Sequence, residues 1–210
     1  AEIGPDGNLW IADWYNFIIQ HNPTPTAVRG GFDGERGTGN AHVNPNRDRQ
    51  HGRIYRLIWD GAKEPEIKSL AGASPKQLVA GFNDDNLFWR LTAQRLLVEQ
   101  KSTGILGDLK LLLGKGGYSA LHAFWTIHGL GQLDRTLHQG ALLNKDSLVR
   151  KAAATALGTS VADRELLIDT AILTDADPGV RRAAFTVLAH FPKDSVLQAM
   201  IRRLYKDKLN

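Results

Sequence analysis

The last two thirds of the chain repeats one hydrophobic pattern four times. In each copy, small or apolar residues recur at i, i+4, i+7 and i+8, which is one face of an α-helix. The alanines in the middle of that face are 30, 30 and 31 residues apart: Ala93, Ala123, Ala153 and Ala184. The apolar residues that close each copy keep the same steps: Leu97, Ile127, Leu157 and Leu188. The pattern predicts four related helices, whose alanines allow a neighbouring helix to approach closely.

The flanks of each copy predict capped helix starts and a second helix. A capping residue stands four positions before the recurring arginine in three copies: Asn86 before Arg90, Asp146 before Arg150 and Asp177 before Arg181. In the second copy, Ser119 to Ile127, Ala120 replaces that arginine. An apolar segment precedes each copy, over residues 75–82, 103–113, 134–143 and 163–173. Each repeat is therefore predicted to contain two helices, and the amphipathic segment Lys193–Tyr205 is predicted to close the row.

Residues 1–73 show a different pattern, which is typical of strands and turns. The turn cluster Gly4-Pro5-Asp6-Gly7-Asn8 precedes a strand-like run at residues 9–12. A second strand candidate covers residues 52–60 and is predicted to pair with the first. Residues 22–51 between them are rich in Gly, Asn, Pro and Arg, and a connection of this length either carries function or lacks fixed structure.

The composition of the 210-residue chain changes between these two parts. Residues 1–73 hold 3 of the 28 leucines but 10 of the 21 glycines. They carry 8 Lys and Arg against 9 Asp and Glu, whereas residues 74–210 carry 18 against 13. We therefore predict a strand-rich part, 1–73, and a helical part, 74–210, whose first helix begins with Ser74 as its cap and Pro75 in its first turn. Because the chain opens within a structured motif, we expect it to be a piece of a larger protein.

Residue counts exclude several kinds of chemistry. The chain contains no cysteine, which removes disulfides, thiolate zinc sites, thiol nucleophiles and the Cys-x-x-Cys-His attachment of c-type haem. No apolar run approaches 18 residues, so no membrane span is predicted. The net charge is +4, and acidic residues are interspersed throughout the basic helical part. That distribution argues against a nucleic-acid partner, since a phosphate-binding face carries a denser basic stripe.

Polar residues of the first part are candidates for a binding site. Imidazole and carboxylate groups bind metals or orient substrates, and arginine forks bind anions. The candidates are Asp13, Asn16, His21, Asp48, Arg49, His51 and Arg53. Their spacing matches no known ligand pattern, so no metal site is predicted. We favour the alternative, in which these residues stabilise turns or face solvent and the arginines, Arg56 included, pair with Asp48 and Asp60.

The recurring arginines form a second candidate site. They occupy matching positions of the first, third and fourth copies: Arg90, Arg150 and Arg181. Such an arginine ladder can bind an acidic partner. We favour a structural role, in which the ladder pairs with the helix caps Asp146 and Asp177 of the same or adjoining repeats. His122 and His128 of the second copy lie six residues apart, which is not one helix face, and they are predicted to be ordinary helix histidines.

The helical part resembles HEAT or armadillo-type repeats of a short variety. The pattern Asp-x-x-Val-Arg-x-x-Ala-x-x-x-Leu at residues 146–157 and 177–188 carries the resemblance, and the repeats cover about two thirds of the chain. The resemblance implies a mainly α fold, a HEAT-like α-solenoid of about four two-helix repeats preceded by a small β element. A solenoid is a scaffold, and the fold by itself names no chemistry.

The first part resembles the last blade of a β-propeller. The stretch Asp6 to Ile18, with Asp-Gly-Asn before Leu-Trp-Ile-Ala-Asp, is similar to the NHL-type blade motif. In such blades the later Asp and Asn usually satisfy turn backbone. A propeller needs several blades around a central channel, and about one blade's worth of strand is present here.

The order of the two parts resembles the membrane-bound dehydrogenase family, in which HEAT repeats follow a propeller similar to sorbosone and sugar dehydrogenases. The strings that carry this resemblance are Ala12-Asp13-Trp14-Tyr15-Asn16, with His21, and His51-Gly52-Arg53-Ile54-Tyr55-Arg56. The resemblance implies a large bacterial protein of the periplasm or cell surface. It also implies sugar or alcohol oxidation with a quinone cofactor such as pyrroloquinoline quinone (PQQ), often with a haem c domain.

We therefore expect a non-catalytic scaffold or interaction segment of a larger PQQ-type dehydrogenase. No cofactor is predicted in this segment, and PQQ and haem c are implied for the intact family member alone. The expected partners are the remainder of the parent propeller and a protein electron acceptor. The alternative is an independent HEAT-repeat binding module for a protein or nucleic-acid partner.

Overall fold

A computed structural model of the chain separates it into two compact units, Ala1–Ile67 and Lys68–Asn210. The structure describes residues 1–13, 26–29, 33–37, 43, 51–63, 66, 68–191 and 193–209. This described chain is mainly helical, with a small three-stranded sheet near its N-terminus. Most of the predicted loop 22–51 lies outside the described residues, which include there a short 3₁₀ turn at Ala27–Arg29.

The sheet of the first unit is antiparallel throughout. Its strands are β1 (Glu2–Ile3), β2 (Leu9–Asp13) and β3 (Arg53–Leu57), in the order β1-β2-β3. The predicted pairing of the two longer segments is confirmed, and Trp10 of β2 lies opposite Arg56 of β3.

The turn that joins β1 to β2 is built around Asp6. Gly7 has a φ of +77°, a left-handed conformation that glycine adopts without steric cost. The Asp6 carboxylate accepts hydrogen bonds from the Asn8 backbone N–H at 3.1 Å and from Trp10 Nε1 at 2.9 Å. Arg56 Nε donates to the same carboxylate at 2.5 Å. One side chain therefore ties the turn to both longer strands.

The strands carry large apolar side chains that remain exposed. Ile3, Trp10, Ile54, Tyr55 and Leu57 are between 37% and 74% exposed, and no residue of the three strands is buried within the described chain. An isolated sheet of this size is marginally stable without a covered hydrophobic face. The first unit therefore presents apolar strand surface that a neighbouring element could cover.

The second unit contains the nine α-helices of the described chain. Their bounds are α1 Pro75–Ala80, α2 Leu87–Glu99, α3 Leu106–Leu113, α4 Gly117–Gly129, α5 Arg135–Leu142, α6 Ser147–Thr155, α7 Val161–Asp169, α8 Pro178–Leu188 and α9 Ser195–Leu209. The predicted start of the first helix is confirmed, because Ser74 caps α1 and accepts from the Gln77 N–H. Helices α2, α4, α6 and α8 coincide with the four copies of the sequence pattern.

The helices pack in pairs and in a row. α1 contacts α2, α3 contacts α4, and α5 contacts α6. The second helices also contact one another in order, α2 with α4, α4 with α6, and α6 with α8. In the last pair, the 3₁₀ turn Ile172–Thr174 lies between α7 and α8 and contacts both. Equivalent helices therefore meet along one row, and the side chains between them are buried.

The four recurring alanines lie inside this row. Ala93, Ala123, Ala153 and Ala184 each have 0% of their surface exposed. They belong to one hydrophobic core cluster that extends from Leu78 to Leu197. The expectation that these alanines face a close neighbour is confirmed.

All three predicted helix caps of the second helices are confirmed. Asn86 accepts from the Phe88 N–H, and Asp146 and Asp177 cap α6 and α8 in the same way. Helix α4 begins differently, after Gly116 with φ +83°, and its Gly117 N–H donates to Asp146 Oδ2 at 2.5 Å. Asp146 therefore holds the starts of two successive second helices.

None of the helices in the described part of the chain is long and apolar enough to cross a membrane.

Candidate functional site

Three of the polar candidates in the first unit lie within the described chain. Asp13 ends β2 and Arg53 begins β3, and the two are direct partners in the strand register. Arg53 Nη1 also lies 3.4 Å from the Tyr55 hydroxyl oxygen. His51 is exposed just before β3. The other candidates lie outside the described residues: Asn16, His21, Asp48 and Arg49.

The Arg56 guanidinium binds Asp6 in the β1–β2 turn, and Asp48, one of the partners expected for the arginines, lies outside the described residues. It also lies over the Trp10 ring, with 5.9 Å between the guanidinium carbon and the ring centroid. Burial acts to raise the pKa of Asp6, but hydrogen bonds from Trp10, Asn8 and Arg56 together bring it well below its usual value. The pair therefore fixes the sheet. Within the described residues, no group of three or more His, Asp or Glu side chains is placed to hold a metal ion.

The three arginines of the ladder in the second unit make the same backbone contacts. In each case Nη1 donates to backbone carbonyls five and six residues earlier in the chain: Arg90 to Asp84 and Asp85, Arg150 to Asn144 and Lys145, and Arg181 to Asp175 and Ala176. These carbonyls belong to the turn before each second helix. The ladder therefore fastens three equivalent turns to the helices that follow them.

The expected pairing of the ladder with the caps is wrong in detail. Arg150 Nε and Nη2 donate to Asp175 at 2.6 and 2.9 Å, and Asp175 stands two residues before the cap Asp177. The cap carboxylates accept backbone N–H groups instead. The hydrogen bonds between Arg150 and Asp175 raise the pKa of the guanidinium and lower that of the carboxyl. A charged pair therefore joins the third repeat to the fourth.

Arg90 differs from Arg150 in that no carboxylate of the described residues forms an ion pair or a hydrogen bond with it at 4 Å or less. It is only 8% exposed, and its Nε is buried without a hydrogen-bond acceptor among the described residues. The ring of Tyr118 on α4 lies 5.0 Å from the guanidinium carbon. A buried donor without an acceptor is rare in native proteins, so this guanidinium edge marks a candidate binding position.

Arg90 lines a groove between α2 and α4 with a volume of about 930 Å³. We call it the α2–α4 groove, and its lining includes Asp84, Leu87, Leu91, Tyr118, His122 and Trp125. Leu87, Leu91 and Tyr118 are 46%, 48% and 61% exposed. The groove therefore combines accessible apolar surface with one buried guanidinium.

Hydrogen bonds hold the walls of the α2–α4 groove together. Ser119 Oγ donates to the Phe82 carbonyl at 3.1 Å, joining α4 to the 3₁₀ turn before α2. His122 Nδ1 lies 2.7 Å from Gln94 Oε1, and because an amide oxygen only accepts, the imidazole hydrogen lies on Nδ1. At the rim, Lys68 Nζ binds Asp84 Oδ2 at 2.5 Å. These three contacts therefore link α4 to the turn before α2, α4 to α2, and Lys68 to the rim of the groove.

His122 is held in its neutral form. It is 4% exposed. Burial, with a contribution from the nearby charge of Arg90, lowers its pKa to about 4. At neutral pH the groove therefore contains the positive charge of Arg90 beside a neutral imidazole. The imidazole adds no positive charge to the groove at that pH.

The sequence alone predicted Arg90 as a candidate binding residue but did not predict the groove that it lines. Two signals of it were visible in the second copy, where Ala120 replaces the recurring arginine and Gly114 occupies the position of Asp175. Neither signal identifies a cavity, because the volume arises from how α2 and α4 pack. Trp89 is buried, whereas Trp125 is half-buried and lines the groove.

Comparison with known proteins gives one result for the first unit. Residues 1–60 match a family described as "Domain of unknown function (DUF7133)". No curated protein matches the chain. The match covers the three strands of the β-sheet.

Proposed function

We propose that Lys68–Asn210 is a HEAT-like α-solenoid and that the chain acts as a non-catalytic scaffold and interaction segment. The α2–α4 groove is the observation that carries the interaction role, since it offers exposed leucines around a buried arginine. Support for the repeat comes from equivalent contacts in successive copies. Each recurring alanine is buried, and each ladder arginine binds the turn before its helix. Two-helix repeats stacked in this manner form extended binding surfaces.

The first unit is proposed to be part of the final blade of a larger propeller. Its support is the exposed apolar surface of the strands and the order of the blade-like strings in the sequence. A neighbouring blade would cover that surface, because propellers protect their strands by packing blade against blade. The remainder of the parent propeller is therefore the first proposed partner.

The parent protein is proposed to be an extracytoplasmic, quinoprotein-like sugar or alcohol dehydrogenase, with the helical unit docking a protein electron acceptor. The resemblance of the strings at residues 12–16 and 51–56 supports this proposal. The described residues do not by themselves fit a PQQ site, since one three-stranded sheet cannot surround a propeller channel and Asp13 faces Arg53 across the strands. We assign PQQ and haem c to parts of the parent outside this chain.

A turnover assay tests the non-catalytic role. The isolated chain, supplied with PQQ, calcium, a panel of sugars and alcohols and an artificial electron acceptor, is expected to reduce the acceptor no faster than buffer does. A quinoprotein sugar dehydrogenase run in parallel serves as the positive control. Saturable reduction by the isolated chain would contradict the proposal.

Site-specific photo-crosslinking tests the interaction role in the intact protein. A photoreactive residue replaces Leu91 in the groove, and the control replaces Val161, which is 73% exposed on α7 away from the groove lining. We expect a discrete crosslink from position 91 to an electron-acceptor protein, identified by mass spectrometry, and none from position 161. Equal labelling from both positions would count against the groove as the contact surface.

The alternative function is an independent binding module. It is favoured by one observation, namely that the described residues of the groove lining and of the hydrophobic core all belong to Lys68–Asn210. The surrounding reading frame distinguishes the two functions. Further blade motifs upstream or a Cys-x-x-Cys-His motif downstream support the dehydrogenase, and a frame with neither supports the independent module.

A further inference from the structure

The guanidinium edge of Arg90 is chemically incomplete within the described chain. Nη1 is satisfied by the carbonyls of Asp84 and Asp85, at 2.5 and 2.8 Å. Nε is buried and has no acceptor among the described residues. A buried donor has lost its hydrogen bonds to water. Leaving it unpaired therefore costs free energy of folding, and an acceptor supplied by a ligand would recover that cost.

A second position in the same unit shows what completes this edge. Arg150 makes the same two carbonyl contacts through Nη1, and its Nε and Nη2 bind the Asp175 carboxylate. The position of Asp175 in the second copy is Gly114, which has no side chain. The next copy thus provides a carboxylate for Arg150, whereas the equivalent position next to Arg90 has no side chain.

The surroundings of Arg90 limit what kind of ligand can enter. Among the described residues that line the groove, Arg90 is the one Lys or Arg side chain, and Asp84 and Asp85 are also in the lining. A nucleic acid would bring a row of phosphates to a single guanidinium and against these two carboxylates. A lone carboxylate avoids most of that repulsion, since Asp84 is paired with Lys68 and Asp85 is exposed to solvent.

The rest of the groove suits apolar side chains. Leu87 and Leu91 expose nearly half of their surface, and Trp125 lies further along the lining. Tyr118 lies over the face of the guanidinium at 5.0 Å and is itself 61% exposed, so the remaining edge of the guanidinium, with Nε and Nη2, is the part that a ligand can bind. A ligand that fills the groove would therefore carry an acidic group for Arg90 and apolar groups for the leucines.

We propose that the α2–α4 groove binds an acidic segment of a partner protein, whose Asp or Glu carboxylate accepts hydrogen bonds from Nε and Nη2 of Arg90. Apolar residues on either side of that carboxylate lie against Leu87, Leu91 and Trp125. The ligand carboxylate takes the place that Asp175 takes on Arg150. This inference rests on the proposed interaction role of the helical unit and specifies the chemistry of its partner.

A matched pair of peptide sets tests the carboxylate. The probes are acetylated, amidated nonapeptides with a central Glu and leucine, isoleucine, valine or phenylalanine on both sides, together with the same set carrying a central Gln. Binding to the full chain is measured by titration of ¹⁵N-labelled protein, following the Arg90 Nε–H signal. We expect the Glu set to bind at least tenfold more tightly and to shift that signal, because a charge-assisted, two-point contact is lost in the Gln set.

Two variants locate the effect. Arg90→Lys keeps the positive charge but loses the two parallel N–H donors of the guanidinium. It is expected to remove the tenfold preference for the Glu peptides over the Gln peptides. Arg95→Lys, a change of an exposed arginine on the same helix, is expected to keep it. If Arg90→Lys does not fold, the wild-type comparison and the Nε–H signal alone decide the result.

The outcomes separate this inference from the proposed function. Equal affinity for the Glu and Gln sets, an unmoved Arg90 signal, or the absence of binding by either set would overturn the carboxylate assignment. The proposed interaction role would then still be tested by the crosslinking from position 91. Loss of that crosslink together with a retained Glu preference would instead contradict the proposed partner role and leave the Arg90 site in place.

Discussion

At the scale of single residues, equivalent sequence positions have different surroundings. Arg90 and Arg150 share their contacts to the preceding turn, yet only Arg150 has a carboxylate on its outer edge. His122 lies close to Arg90 and is buried against Gln94, which keeps the imidazole neutral. These differences come from neighbours on the adjoining repeat, so they cannot be read from one copy of the pattern.

The buried imidazole predicts an acid-dependent loss of stability. The pKa of His122 falls from 6.5 to about 4 on folding, so below pH 6.5 the unfolded chain binds more protons than the folded one. Stability contributed by this group is therefore present at neutral pH and is lost as the pH falls toward 4. Between pH 7 and 4.5 the loss is on the order of 2 kcal/mol.

Urea unfolding at both pH values measures this loss. His122→Gln is expected to lose about 2 kcal/mol less than the wild type between them, while His128→Gln, at an exposed position on the same helix, behaves as the wild type does. Identical pH dependence in all three proteins would show that His122 does not titrate with a lowered pKa.

At the scale of elements, the second helices depend on small side chains where they cross. Helices α2, α4, α6 and α8 contact one another in order. Each contributes one fully buried alanine, with 0% accessible surface, to the row. Caps add a second kind of link, because Asp146 caps α6 and also accepts the first N–H of α4. Helix packing and helix starts are thus coupled between neighbouring pairs.

Enlarging one of these alanines is predicted to separate the helices. Ala153→Leu adds three carbons at a site with no accessible surface and is expected to cost about 1–3 kcal/mol of unfolding free energy, since overpacking forces neighbours apart. Lys151→Leu, on the exposed side of α6, is the control and is expected to change stability by less than about 0.5 kcal/mol. Denaturant unfolding of both variants compares them, and equal effects would contradict close packing at Ala153.

At the scale of the whole molecule, the two units differ in how they bury apolar surface. The core cluster runs from Leu78 to Leu197, within Lys68–Asn210. The strands of the first unit keep large apolar side chains exposed, with Ile54 at 74%. The helical unit therefore has its own core, whereas the sheet has none in the described residues.

Deleting residues 1–67 is predicted to leave the helical unit folded. Because every described residue of its core cluster lies after residue 67, we expect the thermal midpoint of Lys68–Asn210 to lie within about 4 °C of that of the full chain, which corresponds to roughly 1 kcal/mol for a domain of this size. Circular dichroism at the helical wavelengths follows the transition. A much larger drop would mean that the strands are needed for the stability of the helices.

The sequence by itself determined the periodic features of this protein. Spacings of 30 and 31 residues located the second helices, the caps at Asn86, Asp146 and Asp177, and the buried alanines, because these depend on local hydrogen bonding and on a repeated hydrophobic face. It also predicted the pairing of β2 with β3.

The tertiary structure decided which side chains meet between repeats. It placed Asp175 on Arg150 and Asp6 on Arg56, it left the Nε of Arg90 without an acceptor among the described residues, and it formed the groove between α2 and α4. Such contacts join residues that are distant in sequence and depend on the packing distance and rotation of two helices. A one-dimensional pattern holds neither quantity, so the candidate site could be recognised only after the helices were packed.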